Sequence, residues 1–236
     1  MRGETSVKIS TQIVGNYLVK GRWNTAVAIC TQALKSNPQD FALNILLAKS
    51  LTAGNNFTEA ISIYKKLIKI QPKQANLYAE LGLLCSKNNQ IAQAIEYYQQ
   101  ALSINPNWAE VKYNLAVVWH QLGNWQEAID SYQRTVAIDP YYTRAYFNLA
   151  VLYDQKEQFE DAIANYRSAI STDPNYTKAY NNLGSTLAKQ HKYTESVKVY
   201  REGLKIDPAW ASLHNNLGQV LFISEKPDEA LASFRY

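Results

Sequence analysis

Six prolines, Pro38, Pro72, Pro106, Pro140, Pro174 and Pro208, stand 34 residues apart, and only Pro227 falls outside the series. A fixed period of this length constrains the fold more than any local motif. Each period is one supersecondary unit that must stack on its neighbours to bury its apolar face. The 236 residues therefore read as a single quasi-linear array rather than a set of globular domains. With residue 7 as the first position, the copies are 7–40, 41–74, 75–108, 109–142, 143–176 and 177–210. A truncated seventh copy, 211–236, follows them, and a leader, 1–6, precedes them.

Every copy repeats one apolar pattern. Position seven is Leu or Ile (Ile13, Leu47, Leu81, Leu115, Leu149, Leu183, Leu217), and position eight is small in six copies (Ala48, Gly82, Ala116, Ala150, Gly184, Gly218). After a polar break, position seventeen is aromatic or apolar in Trp23, Phe57, Ile91, Trp125, Phe159 and Tyr193. Position twenty is Ala except at Ser196, and position twenty-four is aromatic in Tyr64, Tyr98, Tyr132, Tyr166, Tyr200 and Phe234. Spacings of three, four and seven place these residues on one face of a helix, so each copy predicts two amphipathic helices. The small residues mark where the two helices approach closely. The tyrosines are expected to fill the space between copies with their hydroxyls at the wet edge. Asn24, Thr58, Thr194 and Asp228 at position eighteen are read as caps of the second helix. The acids beside them, Glu59, Glu127, Asp161, Glu195 and Glu229, favour its positive end. The repeat proline stops that helix.

This signature, Leu–Gly/Ala–aromatic–Ala–aromatic–Ala–Pro, resembles the tetratricopeptide repeat (TPR) family from about residue 7 to 236. The resemblance implies an all-α solenoid, a right-handed superhelix of antiparallel helix pairs whose first helices line a concave groove. Cys30 stands where an aromatic is usual, and Thr135 and Gly203 replace Ala at position twenty-seven, so looser packing is expected there. The carboxylate clamp of chaperone-binding members is not matched, because its positions hold Thr11, Gly15, Asn76 and Glu80.

No catalytic constellation emerges. His120, His191 and His214 have no partner at metal-ligand spacing, and no phosphate loop or nucleophile elbow is present. His214 is expected to pack against the preceding copy, His191 to lie solvated in a turn, and His120 to face the groove. Cys30 and Cys85 read as buried hydrophobes rather than nucleophiles, which places the chain in a reducing, cytoplasmic compartment. Residues 1–108 carry 11 Lys and Arg against 5 Asp and Glu, and residues 109–236 carry 13 against 15. The net charges of +6 and −2 include no dense basic stripe of the kind nucleic acid requires. No apolar run suits a signal peptide or a membrane span.

The polar feature that stands out is Asn114, Asn148, Asn182 and Asn216, one per copy at position six of copies four to seven. A carboxamide can both donate to and accept from one peptide unit of an extended chain. Helices packed about 8–10 Å apart would meet roughly every third residue of such a chain. The array is similar to the asparagine ladder in the TPR superhelix of O-GlcNAc transferases, which implies sequence-independent capture of extended polypeptide. Arg144, Lys178, Asn181, Ser185, Asn215 and Gln219 at neighbouring groove positions surround it with donors. In the first three copies Gln12, Leu46 and Glu80 replace the Asn, with Lys8, Lys49, Lys87 and Asn76 nearby.

The expectation is a non-catalytic scaffold for protein–protein interaction. It needs no cofactor or metal and binds an extended peptide, with neither nucleic acid nor membrane as partner. Two alternatives stand beside it: the N-terminal substrate-recruiting region of a longer glycosyltransferase or methyltransferase, and a self-assembling scaffold. The latter would use the uncapped seventh copy for homo-oligomerisation, with Leu221, Leu231 and Phe234 partly uncovered.

Overall fold

The computed structural model describes residues 12–235, so the leader, Lys8 and Thr11 lie outside the described residues. The chain forms two compact units, one ending at Leu122 and the other beginning at Gly123. Among the described residues both are built of helices without a strand.

The first unit contains α1 (12–19), α2 (Trp23–Leu34), α3 (Phe41–Ala53), α4 (Phe57–Ile70), α5 (Ala75–Lys87), α6 (Ile91–Ile104) and α7 (Ala109–Gln121). The second contains α8 (Trp125–Ile138), α9 (Thr143–Gln155), α10 (Phe159–Thr172), α11 (Thr177–Lys189), α12 (Tyr193–Ile206), α13 (Ala211–Ile223) and α14 (Pro227–Phe234). Packing follows chain order. In the first unit α2 packs on α3, α3 on α4, α4 on α5, α5 on α6 and α6 on α7. In the second the same succession runs from α8 to α14, and α11 also touches the first helices on either side, α9 and α13. Each unit is thus an all-α solenoid of stacked helix pairs.

The turn inside each copy has one conformation. Position fifteen is left-handed in all seven copies, at Gly21, Asn55, Asn89, Gly123, Glu157, His191 and Glu225, with φ between 57° and 76°. In six copies the next residue reaches back five positions in a Schellman closure, as in Asn56 N–H to Leu51 C=O at 2.8 Å, Gln90 to Cys85 at 2.7 Å and Lys192 to Leu187 at 2.9 Å. This turn corrects the expected caps. The N-cap is already position sixteen (Asn56, Gln90, Asn124, Gln158, Lys192), and none of these side chains caps its helix. Asn24, Thr58, Thr194 and Asp228 fall inside the first turn. The acids do lie there as expected, including Glu59, Glu127, Asp161, Glu195 and Glu229.

The second helices end just before the repeat proline, whose predecessor is driven to extended backbone at Asp139, Asp173 and Asp207. Each of these carboxylates accepts the N–H two residues on, from Tyr141, Asn175 and Ala209 at 3.0, 3.0 and 3.2 Å. From there position four of the next copy reaches back to the proline carbonyl. Asn44 donates to Pro38 (3.0 Å), Tyr78 to Pro72 (3.0 Å), Tyr180 to Pro174 (3.1 Å) and His214 Nε2 to Pro208 (2.9 Å). His214 therefore ties its copy to the preceding one. His191 sits exposed at the left-handed turn position, where its Nδ1 lies 2.7 Å from the Tyr193 hydroxyl.

Close approach governs the core. A Cβ on Gly82, Gly184 or Gly218 would lie 2.5 Å from the ring of Tyr98, Tyr200 or Phe234, so the small residue at position eight is the seat of the aromatic at position twenty-four. The looser packing expected at Gly203 and Thr135 is not found. A Cβ on Gly203 would stand only 3.0 Å from both Leu213 and Tyr180, because Leu213 of the next copy and Tyr180 of its own close onto the bare backbone. Thr135 is wholly buried, with its hydroxyl returned to the Ser131 carbonyl at 2.9 Å. In the last helix pair Leu221 is buried, contrary to expectation, since its side chain faces α14. Phe222, Ile223, Leu231 and Phe234 are the exposed apolar residues there.

Candidate functional site: a carboxamide row and an acidic cavity

The tyrosines at position twenty-four lie deeper than the sequence suggested. Tyr64, Tyr98, Tyr132, Tyr166 and Tyr200 are at most 1% exposed, so their hydroxyls do not reach a wet edge. Burial pushes the Tyr200 hydroxyl up to about 12, partly offset by hydrogen bonding with Ser196 and Ser185. Burial likewise raises Tyr64, Tyr98 and Tyr166.

A buried hydroxyl needs a partner, and in the second unit the asparagine array supplies it. Asn148 Nδ2 donates to Tyr132 Oη at 3.2 Å, and Asn182 Nδ2 to Tyr166 Oη at 3.4 Å. Position six of one copy thus meets position twenty-four of the copy before. The row continues as a relay. Asn216 Nδ2 donates to Asn181 Oδ1 at 2.9 Å, and Asn181 Nδ2 donates to Asn182 Oδ1 at 3.2 Å, which joins α13 and α11 to Tyr166 on α10. All four carboxamides are half-buried.

The remaining predicted residues are placed less uniformly. Ser185 bonds Tyr200. Arg144 is exposed, with its guanidinium 5.8 Å from the Tyr142 ring centre. Lys178 is exposed on a shallow depression with Tyr176, Asp207 and Trp210. Asn215 and Gln219 are exposed on α13. Asn114 belongs to the first unit, where it lines a cavity instead of bonding a tyrosine.

That cavity was not singled out from the sequence. It measures about 310 Å³ and opens among α3, α5 and α7, with Leu83 and Trp108 on its apolar walls and Glu80 and Glu110 on its polar ones. Tyr64 reaches its lining, and the buried Tyr64 hydroxyl has no hydrogen-bond partner among the described residues. The signal was present in the sequence. Glu80 stands at position six in the copy just before the asparagine series begins, and Glu110 follows on the next first helix.

The cysteines are inert packing. Cys30 and Cys85 are free and buried; burial pushes the Cys30 thiol up to about 11 and raises that of Cys85 against the opposing pull of Lys65. Among the described residues no group of three or more His, Cys, Asp and Glu is arranged to hold a metal ion. No helix there is long and apolar enough to cross a membrane.

Comparison with known proteins agrees with this architecture. Tetratricopeptide repeat profiles match residues 18–82, 80–143 and 131–164, and a TPR repeat profile matches 153–191 and 185–222. No curated protein matches the chain in sequence. Among solved structures it is similar to MamA, at 26% identity over 71% of this chain and 92% of that one, with a TM-score of 0.66. YrrB, described as a TPR protein with an unusual peptide-binding site, has 21% identity over 78% and 95%, with a TM-score of 0.64. A tetratricopeptide repeat protein from Parabacteroides merdae has 17% identity over 98% and 91%, with a TM-score of 0.72. With profiles running from residue 18 to 222 and a MamA-like stack of helix pairs, the chain belongs to the tetratricopeptide repeat family.

Proposed function

We propose that the protein is a non-catalytic interaction scaffold whose second unit holds an extended segment of a partner protein along α9, α11 and α13. The observation that carries this reading is the half-buried carboxamide row Asn148, Asn182 and Asn216, extended sideways by Asn181. An Asn offers two N–H donors and an oxygen with two lone pairs, so the bonds to Tyr166 and from Asn181 orient the Asn182 amide and still leave it one N–H and one lone pair. A side chain already held in one rotamer loses less entropy on binding than a free one. Arg144 and Lys178, both exposed on the first turns of α9 and α11, add a preference for acidic or polar segments. YrrB, which shares the fold, is described as having a peptide-binding site, and this supports the same class of role. Cytoplasmic placement belongs to the proposal, because two free thiols suit a reducing compartment.

The test is affinity for dodecapeptides selected from a random library on the intact chain. Replacing Asn182 by Ala should weaken binding roughly fivefold, the worth of about one net hydrogen bond. Tyr166→Phe removes the internal bond and keeps the carboxamide, so it should weaken binding less. A folded Asn148→Ala/Asn182→Ala variant with unchanged affinity would remove backbone capture as the mechanism.

A further inference from the structure

The first unit has a polar cavity that the carboxamide row does not explain. Two carboxylates, Glu80 on α5 and Glu110 on α7, line it, and neither makes an ion pair with any described residue. They act on the same ground. After burial, Glu80 is the influence that raises Tyr64, and both Glu110 and Glu80 contribute to the rise at Tyr98. Lys49 from α3 supplies one cation against the two acids, which leaves the lining net negative. Between the charges the walls are apolar, with Leu83 and the half-buried indole of Trp108. Independently of the charges, the hydroxyl of Tyr64, a residue only 1% exposed, is buried without a partner among the described residues. Buried polar atoms are rarely left so, and those that are often mark a place where a ligand atom belongs.

We propose that this cavity receives one basic side chain of a partner polypeptide, arginine in preference to lysine. An alkyl stem ending in a donor-only cation matches the lining in order: apolar walls for the stem, carboxylates for the charge, and the Tyr64 oxygen as a further acceptor. Arginine is favoured because its planar guanidinium can bond two carboxylates at once and stack on an indole face. The volume, about 310 Å³, lies at the small end of the roughly 300–1,000 Å³ typical of ligand pockets, so it takes a single side chain and not a folded element. The inference rests on the interaction role proposed above but concerns the other unit and a different chemistry: selection by side chain where the carboxamide row grips backbone.

The experiment is a nuclear magnetic resonance titration of the intact chain. The probes are N-acetyl-arginine methylamide and its lysine, norleucine and glutamate counterparts, and the reporter is the Trp108 indole N–H. The arginine probe should give a saturable shift and bind about tenfold tighter than norleucine, the scale of one charge-assisted hydrogen bond, with lysine between them. Glu110→Gln, an exposed position that leaves packing untouched, and Glu80→Gln should each bring arginine toward norleucine. Tyr64→Phe should weaken arginine without affecting norleucine. Equal affinity for arginine and norleucine, preference for glutamate, or absence of a saturable shift at Trp108 each overturns the proposal. Arginine binding here combined with failure of the library peptides to bind would sink only the extended-segment reading. Library peptides that bind without any basic residue would sink only this one.

Discussion

Raising the pH should unfold the protein through its buried tyrosines. Tyr64 and Tyr98 in the first unit, and Tyr166 and Tyr200 in the second, are almost wholly enclosed, and burial raises all four above the ordinary value of 10.0. In the unfolded chain the same hydroxyls ionise near that ordinary value. Above it the unfolded state binds fewer protons than the folded one, so stability is fully present below about pH 10 and is lost as pH rises toward the folded-state values. Each tyrosine contributes about 1.4 kcal/mol of loss per pH unit in that window. Two per unit give about 3 kcal/mol by pH 11 and about 5 kcal/mol by pH 12, which reaches the lower end of the roughly 5–15 kcal/mol that holds a typical domain together. The assay follows far-ultraviolet circular dichroism and tyrosinate absorbance together. Tyr64, Tyr98, Tyr166 and Tyr200 should ionise only in a cooperative step above about pH 10 that coincides with loss of helix. Tyr200→Phe should reduce the pH slope of stability of the second unit by about 1.4 kcal/mol per unit. Complete ionisation in one step near pH 10 with the helices intact through pH 12 would refute the reasoning.

Substitutions at two positions test the backbone logic. Gly184→Ala gains about 1 kcal/mol of helix propensity but drives a methyl to 2.5 Å from the Tyr200 ring, where overpacking costs about 1–3 kcal/mol. Urea denaturation should therefore show net destabilisation, and a variant more stable than the parent would mean that the ring is free to move. At Glu157, exposed and left-handed with φ 59°, Gly should raise stability by about 0.5–1 kcal/mol and Val should lower it. The same denaturation midpoints check this, and an unchanged midpoint for both would show that the turn is not strained.

The local signals in the sequence predicted well wherever the physics was local. The proline that stops each second helix and the helical spacing of Ala162 and Tyr166 act within one or two turns, and the small residues at position eight recur with the period, so all three could be read from the chain directly. The caps failed because a Schellman turn with a left-handed residue at position fifteen moves the helix start by two residues. Only two of the seven residues there are glycine, so the turn was masked by Glu157, His191 and Glu225. The asparagine series is legible in the chain but its first partner is not, since Asn148 meets Tyr132 only after one copy has stacked on another.

What the sequence determined by itself is the repeat: the helix pairs, their apolar faces, and the side chains kept small for close approach. These follow from periodicity, which is a property of the chain. Only the tertiary structure decided how deeply the tyrosines sink, that Asn182 and Asn216 belong to a relay ending on Tyr166, and that Glu80 and Glu110 share a cavity with Lys49 as the one cation of its described lining. The physical reason is that burial, and with it hydrogen-bond pairing and the state of each proton, depends on which copy covers which. Residues 16 or 30 positions apart carry no mark of their meeting until the helices are stacked.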